Sequence, residues 1–126
     1  IGQNDMNPEL AKNQISSRVK IGLSITDLDQ IQNIPNFINY IGVGPIFPTE
    51  SKTDASKAMG ELILEEIIKK VDIPVVAIGG IKLKNINKLK CMGVSGFAMI
   101  SEIFSSIDPE KKFKEFKKIA KWKKIF

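Results

Sequence analysis

The chain has no histidine in 126 residues and one cysteine, Cys91. Without histidine, Ser-His and Cys-His nucleophilic pairs and histidine-ligated metal sites are excluded from this stretch. A lone cysteine cannot close an internal disulfide, so a reducing compartment is expected. No basic start followed by an apolar run and a small-residue cleavage site is visible, which adds to the expectation of a cytoplasmic protein. No apolar run approaches the ~20 residues that span a bilayer. A Gly-rich nucleotide fingerprint is also missing, because Gly79-Gly80 lacks a third glycine and a later ribose acid.

What the chain does contain is 43% hydrophobic and 26% charged residues, the balance of one soluble globular domain. Its net charge of +5 is concentrated in KKFKEFKKIAKWKK, residues 111–124. Phe113, Phe116, Ile119 or Ala120, and Trp122 recur there at helical spacing. The run therefore reads as an amphipathic helix with its lysines in water, with neither nucleic acid nor membrane as a partner. The opening Ile-Gly-Gln reads as the end of a strand, so the chain is expected to be a segment of something longer.

Asn7-Pro8-Glu9 combines a cap, a first-position proline and an acid, and predicts a helix to about residue 17. Residues 20–25 form a strand, and Thr26 caps a short helix with Asp27 and Asp29 in its first turn. A strand at 40–43, a helix at 59–71 and a strand at 74–78 follow. Next come a helix at 85–92 closed by Gly93, a strand at 96–100, and a short turn capped by Ser101. Asp108-Pro109-Glu110 opens the last helix. Strand and helix alternate, and the strands are apolar on successive residues, which predicts parallel strands covered by helices.

Every strand ends in small, polar or glycine residues: Gln3-Asn4-Asp5, Ser24, Gly44-Pro45, Gly79-Gly80, and Ile100-Ser101. In parallel α/β folds these ends converge, and sites form there. Gly79-Gly80 and the turn at Ser101 suit a phosphate held by backbone amides, although a glycine pair also makes a plain tight turn. Thr49, Ser51 and Lys52 offer hydroxyls and a mobile cation, a second anion grip. Asp5 is the strand-end carboxylate suited to Mg²⁺, or else a residue of the turn before the Asn7 cap. Asp27 and Asp29 read as helix-dipole acids, and Cys91 as a small core filler.

The segments GQNDM (2–6), GLSIT (22–26), YIGVGPIFPTESKTDA (40–55), IPVVAIGGI (73–81) and GVSGFAMIS (93–101) resemble the thiamine phosphate synthase family in order and spacing. GPIFPT-x-SK is the most specific of them. The resemblance implies a (β/α)₈ barrel, of which residues 1–126 would supply roughly the C-terminal five strand ends and their helices. It implies condensation of 4-amino-2-methyl-5-(diphosphooxymethyl)pyrimidine with 4-methyl-5-(2-phosphooxyethyl)thiazole to give thiamine phosphate and pyrophosphate. It further implies that Asp5 is one of two Mg²⁺ ligands and that Ser24 contacts the pyrimidine diphosphate. Thr49, Glu50 and Ser51 would line the thiazole phosphate site. Lys52 would hold the departing pyrophosphate, and Gly80, Ile100 and Ser101 would cradle the thiazole phosphate.

The family's early arginine-lysine motif and Asn-Asp pair have no match in this chain. The segment alone is therefore expected to be inactive and not a stable monomer, with the missing N-terminal half of the barrel as its partner and a homo-oligomer as a further arrangement. A thiazole tautomerase or regulator shares the barrel, but carries histidines where this chain has Ile25 and Pro45. A non-catalytic thiazole-phosphate-binding barrel is the other alternative.

Overall fold

A computed structural model describes residues 1–49 and 57–120. Among them, four strands form one parallel sheet: β1 (Gly22–Ile25), β2 (Tyr40–Val43), β3 (Val75–Ile78) and β4 (Gly96–Ala98). They lie side by side in chain order, without the reversal that marks a doubly wound sheet. The registers Ser24↔Gly42, Gly42↔Val76 and Val76↔Gly96 align residues of one parity across the whole sheet. When every parallel crossover has the same hand, a sequential strand order places all connecting helices on one face.

That face is the core. Leu23, Ile25, Ile41, Val43, Val75 and Ala77 are buried on it against Leu64, Ile67, Ile86, Leu89 and Phe116. The last five come from α2 (Glu61–Lys70), α3 (Leu83–Cys91) and α5 (Pro109–Ala120). The other face carries Ser24, Tyr40, Gly42, Val76, Ile78, Gly96 and Ala98, none of them buried. The expected helical cover is thus present on one side only, and the apolar runs alternate in burial although not in hydrophobicity.

The element boundaries shift for local reasons. Ile1 and Gly2, expected to end a further strand, are not one. Even so, the Ile1 nitrogen donates to the Gly22 carbonyl (2.7 Å) and the Ile1 carbonyl accepts from Ser24 N–H (2.8 Å), in parallel register with Leu23. The first helix, α1 (Pro8–Gln14), is capped by Asn7 as expected but stops early. Ser16 Oγ accepts the Arg18 N–H, a turn that competes with the helix. After β1 a 3₁₀ helix, Leu28–Asn33, is capped by Asp27, whose carboxylate accepts the Asp29 N–H (2.9 Å). Thr26 is therefore not the cap, and instead pairs with Gln30.

The start of α3 is also displaced. It begins two residues before the expected position because the Asn85 side chain turns back to the Lys82 N–H (3.0 Å). A four-residue helix, α4 (Ser101–Phe104), has Ile100 rather than Ser101 at its cap position. In α5, Phe116 and Ala120 are buried and Phe113 is half exposed. Trp122 lies outside the described residues. Cys91 is exposed, not a core filler. No helix among the described residues is long and apolar enough to cross a membrane.

Candidate functional site

Parallel pairing brings the carboxyl ends of β1 to β4 to one edge of the sheet, and the sequence places its small and polar residues there. Ser24 sits on the uncovered face of β1, half-buried. The Gln3 amide reaches across to the Ser24 carbonyl (2.6 Å), so residues 3–5 are anchored beside that end. Gln3 carried no assigned role in the sequence reading. Its position as the first polar residue after an apolar start was the available signal.

Asp5 is exposed and closes a turn. Its Oδ2 accepts the Gly2 N–H at 2.6 Å, while its own N–H donates to the Gly2 carbonyl at 3.2 Å. Asp5 is thus a residue of the turn before the Asn7 cap, next to the Gln3 that reaches the end of β1. No group of three metal-ligating side chains occurs among the described residues. One Asp5 carboxylate oxygen is thus already engaged by the Gly2 N–H.

Beyond β2 the chain runs as an arm, residues 45–49, over the end of β3. Ile46 N–H donates to the Ile78 carbonyl (3.0 Å) and Phe47 N–H to the Gly79 carbonyl (3.1 Å). On the other side, Met59 N–H and Gly60 N–H donate to the Pro45 and Ile46 carbonyls (2.8 and 3.1 Å). Gly60, at φ +82° and ψ 166°, is the non-helical N-cap, so α2 starts at Glu61 and not at Met59. Thr49 is half-buried at the end of the arm. Glu50, Ser51 and Lys52 lie outside the described residues.

Gly79 and Gly80 adopt φ of +87° and +65°, a left-handed region that favours glycine. Their missing side chains make room for the arm. A Cβ on Gly80 would lie 2.6 Å from Phe47 Cβ and 2.9 Å from the Pro48 carbonyl oxygen. The Gly80 carbonyl also accepts from Asn85 Nδ2 (3.5 Å) at the start of α3. Ile100 and Ser101 are exposed after β4. Glu102 ties α4 to its neighbours, accepting the Leu83 N–H (3.5 Å) and pairing with Lys112 (3.7 Å).

Ser24, Thr49, Gly80, Ile100 and Ser101 therefore follow, or lie within, the carboxyl ends of β1 to β4, and Asp5 follows the Ile1 that pairs alongside β1. Tyr40 is a neighbour that the sequence reading passed over. Its ring covers Gly22, where a Cβ would clash with the ring. At the opposite edge, a cleft of about 300 Å³ is lined by residues including Val71, Asp72, Pro74 and Ser95. It lies among the amino ends of the strands, away from the polar rim.

Residues 1–103 match the thiamine monophosphate synthase family. The chain belongs to that family. Within the thiamine monophosphate synthase family, it is 41% identical over 119 residues to the thiamine-phosphate synthase of Histophilus somni, covering 91% of this chain and 53% of that one. It is 39% identical over 121 residues to the enzyme of the same name from Archaeoglobus fulgidus, with 96% and 57% coverage. Among solved structures, thiamine phosphate pyrophosphorylase from Pyrococcus furiosus superposes with a TM-score of 0.81 at 32% identity. That superposition covers 96% of this chain and 57% of the other. The chain spans about half the length of the curated relatives it matches.

Proposed function

We propose that residues 1–126 are the C-terminal part of a single (β/α)₈ barrel that acts as a thiamine phosphate synthase. The reaction would join the pyrimidine diphosphate to the thiazole phosphate, releasing pyrophosphate, in thiamine biosynthesis in the cytoplasm. The observation that carries this reading is a sheet in strict chain order, with helices on one face only and its polar strand ends on one edge. A sheet of this kind is an arc of a barrel wall, and the carboxyl ends of barrel strands are where such enzymes work. The family membership supplies the chemistry.

In this reading Ser24 contacts the pyrimidine diphosphate from the floor of the rim. Thr49, Glu50 and Ser51 line the thiazole phosphate site, with Gly80, Ile100 and Ser101 closing it. Lys52 brings a point charge to the departing pyrophosphate. Departure of pyrophosphate needs charge stabilisation more than proton transfer, so a rim without histidine is no handicap. Mg²⁺, when bound, would neutralise charge on the leaving group. Asp5 fits as one of its ligands, because magnesium takes one or two carboxylates and completes its shell with water and phosphate. The uncovered face of the sheet would meet the N-terminal strands of the barrel.

The test is complementation. The chain would be mixed with the separately expressed N-terminal half of the Histophilus somni enzyme, and thiamine phosphate formation followed by chromatography. Turnover by the mixture and none by the chain alone is expected. Binding of thiazole phosphate without turnover in the mixture would favour a non-catalytic barrel. Absence of both would overturn the reading.

A further inference from the structure

We propose that Gly79 and Gly80 are positioning residues: they seat the 45–48 stretch of the arm on the end of β3 and thereby set the course of the chain into Thr49. The sequence alone reads these glycines as openings for a ligand or as a plain tight turn. The side of each where a Cβ would stand is taken by protein. A Cβ on Gly79 would stand 2.6 Å from Pro45 Cβ and 2.7 Å from Pro45 Cα. A Cβ on Gly80 would stand 2.8 Å from the Phe47 carbonyl oxygen. Two of these atoms are backbone and one belongs to a ring, so none can move aside cheaply. Gly44, where the arm begins, shows the reverse contact, because a Cβ there would meet the Ile78 carbonyl oxygen.

The arm is held on both flanks. Ile46 and Phe47 donate to Ile78 and Gly79, while Pro45 and Ile46 accept from Met59 and Gly60. Two backbone hydrogen bonds and three glycine contacts hold the arm on the β3 turn, and two more backbone bonds hold it to residues 59 and 60. The turn is fastened in its own right by Asn85 to Gly80. The arm that leads to Thr49 and the turn that carries Gly80 are thus joined backbone to backbone. The functional part of this proposal rests on the synthase reading. Its structural part does not.

The experiment uses the full chain complemented with the N-terminal half of the Histophilus somni enzyme, with inorganic phosphate as probe, followed by amide NMR. Wild type is expected to show a cross-relaxation contact between Gly80 and Phe47 and a phosphate-dependent shift at the Thr49 amide. Gly79→Ala should lose that contact, displace the Thr49 resonance and weaken phosphate binding at least tenfold. Ile67→Val lowers stability from the helix side of the core and should keep the Gly80–Phe47 contact, with affinity within twofold of wild type. A Gly79→Ala variant indistinguishable from Ile67→Val in contact and affinity would overturn the proposal. If the complemented wild type binds no phosphate but the contact is present and lost on substitution, the seating role stands and the synthase reading fails. Should Gly79→Ala not fold, hydrogen exchange on wild type decides. The amides of Ile46, Phe47, Met59 and Gly60 should be protected together with those of β3, and free exchange at the first four would refute the seat.

Discussion

One face of the sheet bears Leu23, Ile25, Ile41, Val43, Val75 and Ala77 and is sealed by helices. The other bears Ser24, Gly42, Val76, Ile78, Gly96 and Ala98 and is not. Ile41 is fully buried, whereas Ile78 keeps 38% of its surface. The same strands thus carry a finished core on one side and a floor of small residues on the other. The difference teaches that one parity of each strand supplies the packed core and the other stays open. Burial of the first parity holds the sheet to its helices.

Substitutions on matched positions can break that contrast. The largest effect is expected at Ile41→Ala, which removes packed atoms from a closed core and should cost about 3 kcal/mol in urea unfolding at fixed protein concentration. Val76→Ala, on the open face, should cost under about 1 kcal/mol. Equal losses at the two positions would show that the faces are not distinct. Next comes Gly44→Ala, expected to cost about 2 kcal/mol by overpacking against Ile78. Gly42→Ala should stay within about 0.5 kcal/mol of the parent.

Ser24→Ala tests the open face as a working surface. It should lower thiamine phosphate formation by the complemented protein about tenfold, the loss of one hydrogen bond to a charged group, with little change in unfolding. Smallest of all is Lys69→Met on the exposed side of α2. Lys69 lies 2.8 Å from Glu65 and holds its carboxyl below the ordinary value through a hydrogen bond and its charge. A lowered carboxylate stabilises the fold above its ordinary titration range and loses that contribution as pH falls through the lowered value. The difference between Lys69→Met and the parent should therefore be present near neutrality and vanish in acid. A difference that grows in acid would reverse the assignment.

Much of this layout was legible in the chain. Residues 40–43 read as a strand and are one, because an apolar run is cut at both ends by breakers. Asn7-Pro8 and Asp108-Pro109 announced their helices, since a cap and a first-position proline act within one turn. Other features were less legible. Ser16, Thr26 and Asn85 each chose between two local hydrogen bonds of similar worth, and the choice moved a helix boundary. Gly79-Gly80 was visible as a backbone break, but its reason was not, because Pro45 and Phe47 are distant in sequence.

The sequence by itself determined the alternation of strand and helix and the gathering of polar residues after each strand. Both follow from local propensity and from the burial that parallel strands require. Only the tertiary structure decided which parity of each strand would be sealed and which glycines serve the backbone. Those outcomes depend on inter-strand register and on one arm crossing another strand's end, contacts that no short stretch of sequence contains.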